Sequence, residues 1–285
     1  MHLSFGSHGK RPQGDIIRTQ SESIRRNLAA CHLASVGTQV LRATEPDAAR
    51  AGSKPLIVLE DASEKFVLKL AEPALMAAEE AAHLLRALGR RPSVPSRSVR
   101  VEVEEVGTLV GIVKPFLVDF DPEKELSADT LTWTELQRSV ILLEHAWEWF
   151  LDNLDTNTSQ YALLGPHAYP LNIDWDRAFA SEAQAELSRF AKYKSTLPNA
   201  RTFLYSDYVE GRIGLDFALL MRECRHITRL PLDDVKRILG AYANQAFPEN
   251  PDRGRALVAR VLWRQRNMSV NSRASSDISQ RNASS

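Results

Sequence analysis

Cysteine is scarce: the 285 residues contain two, Cys31 and Cys224, in no paired or metal-ligand spacing. That argues against a disulfide framework or a structural zinc site and fits reduced thiols in a reducing compartment. An excess of charge of one sign is also lacking. Lysine plus arginine equals aspartate plus glutamate, 36 each, so no global field draws the chain to nucleic acid or to an anionic membrane. The apolar runs are too short to cross a bilayer, so no transmembrane segment is expected. Residues 1–14 show no apolar core of a secretory leader. A cytoplasmic location is the default expectation, with export by a leaderless route also open.

What is present is an uneven division of pattern. Residues 1–34 read as an arm with a short helix over 21–33, where Ile24, Leu28 and Leu33 share a side. Residues 36–43 and 56–59 read as strands, and Phe66–Leu70 as a hairpin partner of the second. Pro73 opens a helix that stops at Gly89, since proline suits a first turn and glycine an end. Two further strands, Ser98–Glu105 and Thr108–Val113, precede an extended connector over 115–120. Beyond residue 130 helices take over. Trp133–Leu151 carries apolar residues at helical spacing, followed by short strands over 161–164 and 171–173 and helices over 181–193, 214–223, 231–245 and 252–267. The polar, Ser- and Asn-rich stretch 268–285 reads as a disordered tail. The expected fold is α+β and two-lobed: a sheet-rich N-lobe with one helix (35–118) and a larger helical C-lobe (119–267), with a cleft between them.

Four features could carry chemistry there. Lys69 stands on an apolar strand, which suits either a surface position or a polar cleft. Glu79 and Glu80 follow about ten residues later on the next helix, the arrangement by which kinases steady a phosphate-binding lysine. The loop 152–160 is dense in carboxylates and amides. Asp155 with Gln160, or Asp152 with Asn157, has the spacing of a proton-accepting aspartate and a magnesium-holding side chain, although such a loop also merely caps a helix. Asp174 and Asp176 follow a short strand, as metal-ligating acids or as a plain turn. His32, His83, His145 and His167 lack zinc spacing, and Trp133, Trp147 and Trp149 read as packing residues.

Together these segments resemble the atypical kinases of the HipA and phosphatidylinositol 3/4-kinase-like group over roughly residues 35–265. The matching residues are Phe66-Val-Leu-Lys69, then Glu79 to Gly89, Asp155 to Leu164 and Ile173-Asp-Trp-Asp-Arg-Ala-Phe179. The resemblance implies a protein kinase-like fold, ATP and Mg²⁺ as cofactors, and transfer of phosphate to a Ser or Thr hydroxyl of a protein substrate. Lys69, steadied by Glu79, would neutralise the phosphates, and Asp155 would act as the base. Asp174, with Gln160, Asn157 or Asp176, would hold the metal. Lys114, Pro115, Phe116 and Leu117 would offer backbone groups to adenine. The sequence departs from the family where Thr156 and Asn157 replace arginine and histidine and Gln160 replaces asparagine. Those departures keep open an inactive nucleotide-binding or regulatory module, and AMP transfer on the same fold.

Overall fold

The computed structural model describes residues 13–29, 33, 40–44, 56–60, 65–117, 126–153, 158–176, 178–179 and 202–283. Five strands come from the first half: β1 (Val40–Thr44), β2 (Leu56–Glu60), β3 (Lys65–Lys69), β4 (Arg97–Val103) and β5 (Gly107–Pro115). Their order is β1-β2-β3-β5-β4, and the sheet curls until β1 meets β4 in parallel, so that it closes on itself. Alternation builds the interior. Phe66 and Leu68 of β3 pack inward with Leu59, Val99, Val101, Val103 and Val113, while Val67 and Lys69 take the opposite face.

Helix α2 (Pro73–Leu88) crosses between β3 and β4, with proline in its first turn and Gly89 at its end. Its small residues Ala77, Ala78, Ala81 and Ala82 are buried, so the helix packs closely. Gly89 matters for that closeness, because a Cβ there would overlap the ring of Trp147.

Helix α3 (Glu135–Leu151) is the hub of the helical part. Thr134 opens it by accepting the Gln137 N–H, while the Gln137 side chain accepts the Thr134 N–H, a reciprocal cap. Nearly every residue from Gln137 onward is buried. Around α3 lie the hairpin β6 (Tyr161–Leu164) and β7 (Tyr169–Asn172), α4 (Thr202–Val209), α5 (Phe217–Thr228), α6 (Leu232–Ala246) and α7 (Pro251–Ala283). The largest core joins α2, α3, α5, α6 and α7 around Trp147, Phe150, Phe179, Leu239 and Val261.

Several boundaries differ from expectation for local reasons. Helix α1 (Gln13–Ala29) begins and ends before the predicted 21–33. Ile17 and Leu28 fasten it to the helical part, beside Val140 and Tyr169 and beside Leu171 respectively. Helix α5 starts after Asp216, whose carboxylate caps the N–H groups of Ala218 and Leu219, rather than at residue 214. The predicted disordered tail is instead helix as far as Ala283, since no glycine or proline after Gly254 interrupts it. The predicted helix over 181–193 lies outside the described residues. No helix among the described residues is long and apolar enough to cross a membrane.

Candidate active site

Strand pairing decides where the charged residues meet. In the β3–β5 ladder Val67 stands opposite Lys114 and Lys69 opposite Ile112. Opposed residues share a face, and so do residues two apart on a strand; Lys69 and Lys114 are therefore diagonal neighbours on the face away from the barrel interior. Helix α2 presents Glu79 to that face. The Lys69 ammonium lies 3.7 Å from Glu79 Oε2, and the Lys114 ammonium contacts Glu79 Oε1 directly. Glu80 turns the other way and accepts the Ser98 N–H at 3.1 Å.

The stretch after β7 closes the cluster. It turns after Trp175, so that Asp174 and Asp176 both reach Lys69 while the Trp175 ring lies against Arg86. Lys69 Nζ donates to Asp174 Oδ1 at 2.6 Å and lies 3.0 Å from Asp176 Oδ2. Lys114 Nζ donates to the Ile173 carbonyl at 2.7 Å. Asn172 Oδ1 accepts the Asp174 N–H at 2.9 Å and so fixes the turn into the acids. Among the described residues two ammonium groups thus face three carboxylates, a formal charge of one negative unit for these five groups. Of the five side chains, Asp174 is the most exposed, at 30%; Glu79 and Asp176 are buried.

Trp175 leads to a second buried network. The Arg86 guanidinium stacks 4.4 Å from the Trp175 ring centre, donates to the Pro92 carbonyl at 2.7 Å and pairs with Glu144 of α3 at 2.8 Å. Arg91 also reaches Glu144, at 3.3 Å. Burial alone would raise the Glu144 carboxyl, but the two guanidiniums outweigh it and hold it below the usual range. His83, one turn beyond Glu79 and hydrogen-bonded to Ser93, is lowered to about 4 by burial, with Arg86 and Lys114 adding repulsion.

Gln160 ends a 3₁₀ turn (Thr158–Gln160) at the start of β6, and its carbonyl accepts the Ile173 N–H at 2.9 Å. Its side-chain Oε1 is buried and has no hydrogen-bond partner among the described residues. Such an acceptor is costly unless a ligand takes it. Asp174 and Gln160 offer carboxylate and amide oxygens, which suit Mg²⁺, and the net negative charge of the cluster suits a cation. Among the described residues no group of three or more His, Cys, Asp and Glu could hold a metal ion.

Asp155 and Asn157 lie outside the described residues. Asp152 is at the end of α3 with left-handed backbone, and its carboxylate lies 3.6 Å from the guanidinium of the buried Arg264. The expected adenine connector is placed differently in part. Lys114 and Pro115 belong to β5, Phe116 N–H is taken by the Lys65 carbonyl, and Leu117 packs beside Val94 and Leu171. The Lys114 side chain belongs to the ion cluster. Sequence reading missed this because the β3–β5 adjacency is a matter of strand order; the alternation Ile112, Lys114 was the visible signal. A cavity of about 350 Å³ between the first turn of α3 and residues 214–216 contains none of the cluster residues.

No protein-family model matches the chain. No curated protein matches it either. Among solved structures, the crystal structure of the Helicobacter pylori proinflammatory kinase CtkA is similar over 85% of this chain and 96% of its own, with a TM-score of 0.50 and 12% identity. The fold is kinase-like. At that identity the likeness extends to the fold alone. A microcompartment-associated aminopropanol kinase aligns over 81% of this chain and 93% of its own, but its TM-score of 0.29 at 11% identity carries no argument. In the kinase-like frame the curled sheet and α2 form one wall of the cluster, and the β6–β7 hairpin and the acids after it form the other.

Proposed function

We propose that the chain is an ATP- and Mg²⁺-dependent phosphotransferase. The observation that carries this reading is the Lys69 ammonium held among Glu79, Asp174 and Asp176 where the sheet meets the β6–β7 hairpin. Its support is threefold: the kinase-like fold, the order strand lysine, helix glutamate, metal-segment aspartate, and the unpartnered buried Gln160 oxygen. Lys69 brings positive charge toward phosphate oxygens, and Lys114 holds Glu79 and the Ile173 carbonyl beside it. Asp174, with Gln160 and Asp176, would hold Mg²⁺, which supplies neutralisation of phosphate charge when bound. Asp155 accepts the proton of the acceptor hydroxyl as the new P–O bond forms and ADP leaves. Positioning and charge neutralisation supply most of the rate gain.

The preferred acceptor is a protein Ser or Thr, on the strength of the resemblance to HipA-like kinases. A second reading, a nucleotide-binding module with little or no turnover, is favoured by Thr156, Asn157 and Gln160 standing where the family has arginine, histidine and asparagine. Incubation with ATP and MgCl₂, followed by separation of the products, discriminates. Phosphoryl transfer yields ADP and should fall at least about 100-fold in Asp155→Asn with nucleotide binding kept. Release of pyrophosphate would show AMP transfer instead, and no product with binding intact would show the inactive module.

A further inference from the structure

We propose that Lys114 is a positioning residue that locks helix α2 and the metal-holding segment into one register. The inference rests on the phosphotransferase reading and names a group that neither the fold nor the motifs require. A lysine near a strand end ordinarily extends its ammonium to water. Lys114 is instead 8% exposed, and burying its charge is costly unless well-placed acceptors offset it. There are two: the Glu79 carboxylate of α2 and the Ile173 carbonyl at 2.7 Å. Glu79 is therefore held more closely by Lys114 than by Lys69, which stands 3.7 Å away. Lys69 is left to make its short contacts with Asp174 and Asp176.

Ile173 is the hinge of the argument. Its N–H is donated to the Gln160 carbonyl at 2.9 Å and its own carbonyl accepts from Lys114, so both sides of this residue are pinned. Asp174 follows directly, and its N–H is taken by Asn172. Lys114 thus sets the separation between Gln160 and Asp174, the two residues assigned to the metal, without supplying an atom to it. Loss of such a supporting contact typically lowers metal affinity about 10- to 100-fold.

Binding of mant-ATP, a fluorescent ATP analogue, measured in EDTA and across a MgCl₂ titration, tests this in wild type, Lys114→Met and Lys69→Met. Lys114→Met should raise the Mg²⁺ midpoint at least about tenfold and leave metal-free mant-ATP affinity within about twofold. Lys69→Met should weaken binding in both conditions. Because Lys114→Met leaves Glu79 short of a partner and could impair folding, the double variant Lys114→Met with Glu79→Gln removes both charges; it should show the same raised midpoint. An unchanged midpoint in both variants overturns the positioning role while the wild-type binding upholds the nucleotide reading. An equal loss in EDTA overturns it too, since Lys114 would then touch nucleotide directly. Failure of the wild type to bind mant-ATP with Mg²⁺ overturns the phosphotransferase reading, and the inference falls with it.

Discussion

Replacing Asp174 by asparagine should leave the ligand-free protein almost as stable as before and yet abolish its response to Mg²⁺ and nucleotide. The magnitude follows from the geometry. At an effective dielectric of about 20, the 2.6 Å contact with Lys69 gives the Asp174 carboxylate about 6 kcal/mol of attraction. The oxygens of Asp176 and Glu79 lie 3.0 and 3.7 Å from the same ammonium, which puts each within about 6 Å of the Asp174 oxygen. Their combined repulsion is about 6 kcal/mol on the same scale, and partial exposure of Asp174 weakens both terms alike. The two carboxylates thus offset most of the Lys69 attraction, so asparagine forfeits only the remainder together with the more distant pull of Lys114, and the substitution removes part of the cluster's formal negative excess. Glu79→Gln makes the same chemical change with the opposite consequence: it strips the deeply buried carboxylate shared by two lysines and should cost about 3–5 kcal/mol. Urea unfolding without ligands reads both values, and thermal unfolding with MgATP reads the lost response. An Asp174→Asn protein destabilised by more than about 3 kcal/mol would refute the charge-surplus account, since Asp174 would then be a structural partner of Lys69 rather than a carboxylate held for a cation.

Other predictions concern the supporting structure. His83 is neutral in the fold, with its value lowered from the ordinary 6.5 to about 4. Unfolding then takes up a proton between those values, so the His83 contribution is intact above pH 6.5 and falls by about 3 kcal/mol as pH drops toward 4. Urea titrations at several pH values should show that loss in wild type and not in His83→Gln; parallel curves for the two proteins would contradict it. Gly89→Ala pushes a Cβ into Trp147, a fully buried ring whose Nε1 donates to Glu223 and so cannot retreat. It should lower stability by about 1–3 kcal/mol, read from the shift in the urea midpoint.

Much of the architecture was readable from local signals. Pro73 and Gly89 bracket α2, and alternation in 66–69 and 97–103 marks strands that the sheet contains. The three-residue connection from β3 to α2 brought Glu79 and Glu80 near Lys69 in the sequence reading, but which of them turns toward it depends on how α2 sits on the sheet. Long-range pairings were not accessible in that way. The meeting of Lys114 with Glu79 depends on β5 inserting between β3 and β4, and the Arg86–Glu144 pair depends on how α2 settles on α3. Helix ends shifted wherever a side chain intervened, as Asp216 does at α5. The polar stretch after residue 267 continues as α7 to Ala283 and contains no glycine or proline.

The central claim, that the Lys69 cluster is a nucleotide and metal site, is tested most directly by thermal unfolding of the wild-type protein with ATP, with MgCl₂ and with both. The net charge of one negative unit becomes positive when one divalent cation enters, so cation and polyphosphate should favour each other. The account predicts a rise in Tm that needs both together, equivalent to about 3 kcal/mol at a hundredfold excess over the dissociation constant. An unchanged Tm at millimolar nucleotide with Mg²⁺ would contradict it and leave a kinase-like fold whose charged cluster serves only to hold the structure together.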